Sequence, residues 1–297
     1  MPDLPDNSTL KTDLKQAAPF LKWAGGKGQL LEQYTPLFPD RSLVKRYFEP
    51  FVGSGAVFFH LRKQDFAGQY FLYDVNQELI RVYHAVQDQP DDLIALLAEH
   101  RERHGHDHYY AVRNLDRDPA WLASASDVER AARMIYLNKT CFNGLWRVNN
   151  SGHFNVPMGR YKNPAILDEP RLRAASAALQ GVTLDLRDFR GIVDQAGEGD
   201  FVYFDPPYVP LNQTSNFTSY AADDFKEQDQ RDLADVFFAL HERGCRVMLS
   251  NSDSPLVHEL YDGRDRRVRV KLVKARRAIN TRADRRGAIN EVVVLNY

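Results

Sequence analysis

The segment Asp205-Pro206-Pro207-Tyr208 combines a carboxylate, a rigid turn and an aromatic ring directly after the apolar run at 201–204. Four apolar residues bounded by Gly199-Asp200 and by two prolines predict a buried strand, and ligands of open α/β sheets bind beyond the carboxyl ends of such strands. The alternative is a strand that ends in an ordinary proline turn, with an aromatic residue at its rim. Two further segments favour the chemical interpretation.

These residue types suit an amino group on a flat ring, such as the exocyclic amine of adenine or cytosine. That amine is a poor nucleophile because its lone pair is delocalised into the ring. Asp205 and the carbonyl of Pro206 could each accept one N–H, which would bias the lone pair toward a tetrahedral nitrogen. Pro207 restricts the backbone of Pro206, and Tyr208 offers a stacking surface worth about 1–3 kcal/mol.

A glycine-bearing turn between a strand and a helix is predicted at Phe51-Val52-Gly53-Ser54-Gly55, where the backbone can approach a ligand closely. The dinucleotide fingerprint is incomplete, because Phe58 stands where its third glycine is expected. Asp74 ends the next predicted strand, where a carboxylate usually accepts ribose hydroxyls, although it could also cap the following helix. This pattern favours a nucleoside ligand without a pyrophosphate.

A third segment, Lys22-Trp23-Ala24-Gly25-Gly26-Lys27-Gly28, precedes the first predicted strand. It lacks the spacing of a phosphate-binding loop, so ATP binding is the weaker interpretation. Trp23 could pack on a cofactor and Lys27 could meet a carboxylate. The alternative is an ordinary basic loop.

In chain order, Lys22-Trp23-Ala24-Gly25-Gly26-Lys27, Phe51-Val52-Gly53-Ser54-Gly55, Asp74 and Asp205-Pro206-Pro207-Tyr208 resemble the motifs of the Dam-type (D12 class) DNA adenine-N6 methyltransferases. A fifth segment lies between them, from Cys141-Phe142-Asn143-Gly144-Leu145-Trp146-Arg147 through Pro157 to Tyr161, and is similar to the family's DNA-reading hairpin. The likeness covers about residues 18–297.

The resemblance implies roles for individual residues. For catalysis it indicates Asp205, Pro206, Pro207 and Tyr208. For S-adenosylmethionine (SAM) it indicates Trp23, Lys27, Phe51, Gly53, Gly55, Asp74, Asp188, Phe189 and Asp205, with Asp185 as a competitor of Asp188. For DNA it indicates Lys22, Phe142, Asn143, Leu145, Arg147 and Pro157. Arg147 suits the two major-groove acceptors of guanine, while Leu145 or Phe142 could wedge into the base stack or meet a thymine methyl.

The expected activity is therefore that of a site-specific, adenine-specific DNA methyltransferase acting on duplex DNA, within a short palindrome such as GATC, after base flipping. One alternative is a SAM-dependent methyltransferase for another amine, of cytosine N4, RNA or protein. A DNA-binding module without activity has no use for the glycine turn, Asp74 and the catalytic segment together. An ATPase is the third alternative.

The predicted fold is α/β, a seven-stranded Rossmann-like methyltransferase sheet with an inserted helical and hairpin DNA-recognition subdomain. Strands are predicted at 46–51, 69–74, 181–187, 200–205, 245–250, 267–273 and 290–296. Helices are predicted at about 27–34, 55–63, 76–88, 90–103, 127–138, 170–179 and 226–243. The expected domains are a disordered leader at 1–17, a catalytic SAM-binding domain at 18–88 and 181–297, and a target-recognition subdomain at 89–180, because the interval between the second and third strands is too long for one crossover helix.

The charge distribution and the lengths of the apolar stretches limit the functions that are possible. The net charge is −1, which argues against a uniformly basic binder of nucleic acid, but residues 264–286 hold eleven lysines and arginines against two aspartates, a net charge of +9. These charges predict a solvated edge strand at 268–273 and a loop at 274–286 that faces DNA. No apolar stretch is long enough to span a bilayer and no signal pattern begins the chain, so a cytoplasmic protein is expected.

Two cysteines, Cys141 and Cys245, have no metal-ligand spacing and are expected to be reduced and structural. His100, His104, His106 and His108 lie in a polar stretch without a supporting carboxylate scaffold, so no metal is expected. The sequence leaves open the exact recognition site, the oligomeric state, and whether a restriction endonuclease acts on the same site without a stable complex.

Overall fold

The computed structural model describes residues 14–211, 225–276 and 288–297, and this part of the chain divides into two compact units. The first unit comprises the described residues up to Gly26, with Gly53–Gln64 and Asn76–Leu184. The second comprises Lys27–Val52, Asp65–Val75 and the described residues from Asp185 onward. The leader predicted at 1–17 lies outside the described residues except for 14–17, where Ala17 is buried.

Seven strands form one mixed sheet. They are β1 (Arg46–Glu49), β2 (Gln69–Asp74), β3 (Thr183–Leu186), β4 (Phe201–Phe204), β5 (Arg246–Ser252), β6 (Arg269–Arg276) and β7 (Ala288–Leu295). Their order is β3-β2-β1-β4-β5-β7-β6. β1 pairs in parallel with β2 and β4, β4 pairs in parallel with β5, and β7 runs antiparallel to β5 and β6. The predicted seven-stranded α/β sheet is confirmed.

Besides the helical residues 14–16, the described residues form ten α-helices. They are α1 (Leu31–Tyr34), α2 (Ala56–Arg62), α3 (Gln77–Asp88), α4 (Pro90–Glu102), α5 (His106–Asn114), α6 (Pro119–Ser124), α7 (Asp127–Thr140), α8 (Glu169–Leu179), α9 (Glu227–Glu242) and α10 (Pro255–Tyr261). Short 3₁₀ turns occur at Lys27–Gln29, Thr35–Leu37, Arg41–Leu43, Leu115–Arg117, Phe142–Gly144 and Phe189–Ile192. Helices α2–α8 lie in the first unit, and α1, α9 and α10 lie in the second.

The strand β4 is the centre of the second unit. All four of its residues are buried, which explains why the sequence shows a continuous apolar run and no alternation. Phe48 of β1 lies beside Val202 of β4 and stacks on Phe71 of β2, with ring centroids 4.5 Å apart. The apolar face of α9 joins the same core. The strand order reverses between β1 and β4, and this switch point is where ligands of such sheets bind.

The first unit is built around α7. A capping box starts this helix, because the Ser126 hydroxyl accepts from the N–H of Glu129 and the Glu129 carboxylate accepts from the N–H of Ser126. The buried guanidinium of Arg133 donates to the carbonyls of Val112 and Arg113 and pairs with Asp116 at 2.8 Å. The helix therefore fixes the chain that leaves α5.

The strand β6 lies at one edge of the sheet, as the charged alternation predicts. Arg269 and Lys271 are exposed. The side chain of Gln33 covers part of the open edge, because its amide nitrogen donates to the carbonyl of Lys274 and its oxygen accepts from the N–H of Lys274. The loop predicted at 274–286 to face DNA lies, beyond residue 276, outside the described residues.

All seven predicted strands are found, with ends within three residues of the prediction. The seven predicted helices are also present, although the first is divided into a 3₁₀ turn and the short α1. Three helices were not predicted, namely α5, α6 and α10. The first is rich in polar and histidine residues, and the others have only six and seven residues, so their periodicity is weak.

Candidate active site

An ion pair between a buried lysine and a partly exposed aspartate lies at the carboxyl end of β4. The ammonium of Lys27 is 2.7 Å from Oδ1 of Asp205, and the two side chains are 5% and 19% exposed. The hydroxyl of Ser250, on the neighbouring strand β5, donates to the same oxygen at 3.0 Å. Tyr203 hydrogen-bonds Ser250 at 2.9 Å, and because a serine hydroxyl carries a single proton, Tyr203 is the donor in that contact. Lys27 and Ser250 thus contact the same oxygen of the carboxylate.

The ionisation of Asp205 is set by opposing effects. Burial raises the pKa of this carboxyl group, because a charge is less stable where water is scarce. The ammonium of Lys27 and the hydroxyl of Ser250 both stabilise the ionised form and offset part of this increase, so the pKa stays above its usual value. The charge of Asp205 therefore depends on Lys27.

Tyr208 is held by contacts at its hydroxyl and its ring. Its hydroxyl donates to Oε2 of Glu291 on β7 at 2.9 Å. The ammonium of Lys27 lies 4.7 Å from the centre of the ring, within the range of a cation–π contact. Burial raises the pKa of Glu291, while Lys27 and the Tyr208 hydroxyl lower it. Lys27 thus contacts two of the four catalytic candidates, Asp205 and Tyr208.

Two buried amide side chains hold the backbone on either side of Tyr208. Gln230, on α9, donates to the carbonyl of Pro207 at 2.8 Å and accepts from the amide of Asn251 at 3.0 Å. The oxygen of Asn251 accepts from the N–H of Val209 at 3.1 Å. This amide pair bonds one backbone acceptor and one backbone donor of the loop, so the conformation after β4 is fixed by α9 and β5.

The carboxyl ends of the neighbouring strands carry the other candidates of the second unit. Asp74 is the last residue of β2, and the cap of α3 is not Asp74, because Asn76 accepts from the N–H of Leu79. Phe51, just beyond β1, stacks on Phe189 with ring centroids 5.4 Å apart. Asp188 caps the 3₁₀ turn that begins at Phe189.

Asp185 and Asp188 have different surroundings. Asp185 lies on β3 and pairs with Arg187 at 2.8 Å, while Asp188 pairs with Arg190 at 3.2 Å. The guanidinium of Arg190 also lies 4.5 Å from the centre of the Phe189 ring. Asp188 is therefore the carboxylate that the structure groups with the aromatic candidate.

The glycine turn belongs to the first unit. Gly53 has a φ of +48°, and a Cβ there would be 2.9 Å from Cδ1 of Trp23, so a side chain would collide with the indole. The hydroxyl of Tyr83 donates to the carbonyl of Gly53 at 3.0 Å. Gly55 has a φ of +68° and caps α2. Trp23 thus lies directly beside Gly53, two residues before the cap of α2.

A ribbon follows α7 in the same unit. Two antiparallel bridges, Cys141 to Met158 and Val148 to Phe154, define it, and Asn149 closes its tip by accepting from two backbone N–H groups. Asp116 accepts from the N–H of Phe154, which ties the ribbon to the helices. The structure therefore provides a turn-rich ribbon at the predicted position.

The DNA candidates are carried on this ribbon and beside it. Phe142, Asn143, Arg147 and Pro157 are exposed and Leu145 is half-buried. The Nε of Arg147 donates to Asn155 at 2.7 Å across the ribbon. Phe142 donates its N–H to the carbonyl of Pro157 at 2.9 Å. Lys22 is exposed, with its ammonium 4.2 Å from the centre of the Tyr161 ring.

The histidines form an aromatic cluster. His100 stacks on Tyr136 and bonds His108 at 3.0 Å, and His104 bonds the hydroxyl of Tyr136 at 2.9 Å. The described residues contain no group of three or more side chains arranged to hold a metal ion. Cys141 and Cys245 are both buried free thiols. None of the described helices is both long and apolar enough to cross a lipid bilayer.

Comparison with known proteins supplies the family. Residues 23–279 match the model of the D12 class N6 adenine-specific DNA methyltransferases. The chain belongs to this family. It is 43% identical over 281 residues to a type II methyltransferase of Lactococcus lactis subsp. cremoris, covering 94% of this chain and 95% of the relative.

Two further relatives are similar over almost their whole length. A type II methyltransferase of Methanocaldococcus jannaschii is 41% identical over 297 residues, covering 95% of this chain and 100% of the relative. The DNA adenine methylase of Escherichia coli K12 is 34% identical over 287 residues, covering 95% of this chain and 96% of the relative. The resemblance to Dam-type enzymes is confirmed, and the protein is a DNA adenine-N6 methyltransferase.

Four residues around the active site of this D12 methyltransferase were missed in the sequence: Gln230, Ser250, Asn251 and Glu291. Ser250 and Asn251 lie near the carboxyl end of β5, the strand beside β4. Their position after an apolar run could therefore have identified them. Glu291 and Gln230 give no such signal. The first is brought in by the antiparallel insertion of β7, and the second is a polar residue on the buried face of an amphipathic helix.

The amide pair makes a stability prediction. Replacing Gln230 with Ala leaves the Pro207 carbonyl and the Asn251 amide buried without this partner, so the free energy of unfolding should fall by about 2–3 kcal/mol. Gln228→Ala on the same helix is the control, because Gln228 is exposed and should cost about 0.5 kcal/mol or less. Urea unfolding of both variants measures the difference. Equal losses would mean that other contacts hold the loop.

Proposed function

We propose that the methyl donor is SAM and that this protein transfers its methyl group directly to N6 of adenine in duplex DNA, within the palindrome GATC. The observation that carries the proposal is the buried pair of Lys27 and Asp205 at the carboxyl end of β4, next to the switch point of the sheet. A carboxylate that is partly exposed, fixed in direction and favoured in its ionised form by Lys27 suits an N–H of the adenine amine.

The two oxygens of Asp205 have separate tasks in this proposal. Oδ1 accepts from Lys27 and Ser250, which fixes the carboxylate plane. Oδ2 accepts one N–H of the adenine amine, and the carbonyl of Pro206 accepts the other. Two acceptors on one amine favour a tetrahedral nitrogen, whose lone pair points away from them toward the methyl carbon. The residues thus align the nucleophile, and alignment alone can contribute several kcal/mol.

The position of Tyr208 supports stacking of the target base. Its hydroxyl is held by Glu291 and its ring lies beside Lys27, so the ring plane is fixed before the base arrives. Stacking worth about 1–3 kcal/mol would offset part of the cost of taking adenine out of the duplex. Base flipping follows, because the amine cannot reach Asp205 while it is paired.

The residues that we assign to SAM fit a nucleoside cofactor. Asp74 lies at the strand end where ribose hydroxyls are accepted, and Phe51, Asp188 and Phe189 form the aromatic and polar group assigned to its adenine. Lys27 and Asp205 complete the set in the second unit. When bound, SAM supplies a methyl group activated by a sulfonium. Trp23, Gly53 and Gly55, in the first unit, remain SAM residues by sequence motif.

We assign sequence reading to Lys22 and to Phe142, Asn143, Leu145, Arg147 and Pro157. The ribbon supports this, because its exposed side chains stand on a backbone fixed by cross-strand bonds. Arg147 would bind guanine through its two terminal nitrogens, and Leu145 or Phe142 would enter the stack. The names of the relatives at 43% and 41% identity support a role beside a restriction endonuclease of the same site, with no stable complex.

Methylation of unmethylated plasmid DNA tests the chemistry. With SAM, the protein should place methyl groups on N6 of adenine, mapped to GATC. Asp205→Ala should lower the single-turnover rate constant by about 10²–10³-fold or more, because an electrostatic contact to the reacting amine is lost. Circular dichroism should report a retained fold. Methyl groups on another base would contradict the proposed target. Substantial turnover by the variant would show that Asp205 does not have this role.

Arg147 makes a separate prediction about specificity. Arg147→Ala should relax preference at one base pair and lose about 1–3 kcal/mol of discrimination, measured as the ratio of kcat/KM on the target site to that on sites changed at each position. The control is Arg103→Ala, an exposed arginine of the same unit that loses the same charge. An equal loss on all DNA sequences would assign Arg147 to the phosphate backbone.

A further inference from the structure

Asn138 lies near the end of α7 and is completely buried. Its side-chain oxygen accepts from the N–H of Lys22 at 2.9 Å. Its amide nitrogen donates to the carbonyl of Lys22 at 2.7 Å and to the carbonyl of Gly144 at 3.0 Å. One amide therefore bonds both backbone groups of Lys22 and, at the same time, the turn that opens the ribbon.

The side chain of Lys22 is also held in place by the ribbon. Gly144 has a φ of +66°, and a Cβ at this position would be 2.3 Å from Cδ of Lys22. The lysine stem thus runs over the bare glycine. Its ammonium lies 4.2 Å from the centre of the Tyr161 ring, and a Cβ on Gly159 would collide with that ring at 2.6 Å. Both glycines are required by the close approach of a larger side chain.

Two further hydrogen bonds hold the turn beneath Lys22. The N–H of Gly144 donates to the carbonyl of Cys141 at 3.2 Å, and the Cys141 thiol donates to the carbonyl of Leu145 at 3.1 Å. Burial raises the pKa of this thiol to about 12, so it keeps its proton and remains a donor. Movement of Lys22 relative to the ribbon would therefore break bonds that a buried amide cannot replace with water.

We propose that Asn138 is a positioning residue for sequence recognition. It couples Lys22 to the ribbon, so that the position of Lys22 relative to Arg147 is fixed. The two side chains then contact the DNA as a unit. The proposal rests on the proposed function, because it assumes that Lys22 and the ribbon contact DNA. It differs from a purely structural role, in which loss of Asn138 would lower stability and slow methylation of all sequences equally.

A double-mutant cycle tests the coupling. The discrimination ratio, kcat/KM on the target site over kcat/KM on sites changed by one base pair, is measured for wild type, Lys22→Ala, Asn138→Ala and the double variant. Each single variant should lower the ratio at the same base pair, by about 10-fold. The double variant should be no worse than Lys22→Ala alone, because Asn138 acts through Lys22. Additive losses, or an unchanged ratio for Asn138→Ala, would overturn the proposal.

A second variant keeps the test independent of any folding defect in Asn138→Ala. Gly144→Ala retains Asn138 but displaces the stem of Lys22, and it should lower the ratio at the same base pair. If it does not, the coupling is contradicted. Asn114→Ala, an exposed asparagine in the same unit, should leave the ratio unchanged. Thermal unfolding and SAM affinity by calorimetry are recorded for every variant.

The measurements distinguish failure of the proposed DNA reading from failure of the positioning role of Asn138. If Lys22→Ala and Arg147→Ala both keep the wild-type ratio, the proposed reading of DNA fails, and the role of Asn138 fails with it. If these two variants lose discrimination while Asn138→Ala does not, the proposed function stands and only the positioning role is overturned.

Discussion

The active site depends on one ion pair that is largely shielded from water, Lys27 with Asp205. A charged pair removed from water is costly unless its remaining bonding capacity is satisfied, and hydrophobic residues would often be at least as stable in its place. Here Ser250 occupies the same oxygen as Lys27, and the Lys27 ammonium also faces the Tyr208 ring. The pair is therefore better explained by chemistry than by stability. At this strand end burial raises the pKa of Asp205, and the Lys27 ammonium lowers it, so the pair favours the ionised carboxylate.

Buried amides are used in both units to hold functional loops. Gln230 and Asn251 bond the backbone beside Tyr208, and Asn138 bonds Lys22 and the ribbon turn. An amide is suited to this task because it donates and accepts at once, so it satisfies an N–H and a carbonyl without adding a charge to the interior. Side chains on helices and strands thus hold segments that have no regular structure of their own.

The sequence predicted the sheet well because its strands are apolar runs or alternations bounded by turn residues. The D12 family and its adenine-N6 activity follow from motifs in order, and the family match confirms them. The supporting residues could not be predicted in the same way. Glu291 lies 83 residues from Tyr208, and only the insertion of β7 between β5 and β6 brings them together. The roles of individual SAM and DNA residues, and the proposed domain boundaries, stay predictions.

The most direct test is the pH dependence of single-turnover methyl transfer at saturating SAM in wild type and in Lys27→Met. Transfer should fall as the pH decreases through the pKa of Asp205, since protonation removes the charge that aligns the amine. Loss of the Lys27 ammonium raises that pKa further, so the fall in Lys27→Met should begin at a higher pH, whereas Lys45→Met, which removes an exposed lysine, should follow wild type. An acid limb that does not move in Lys27→Met would contradict the dependence of the Asp205 charge on Lys27.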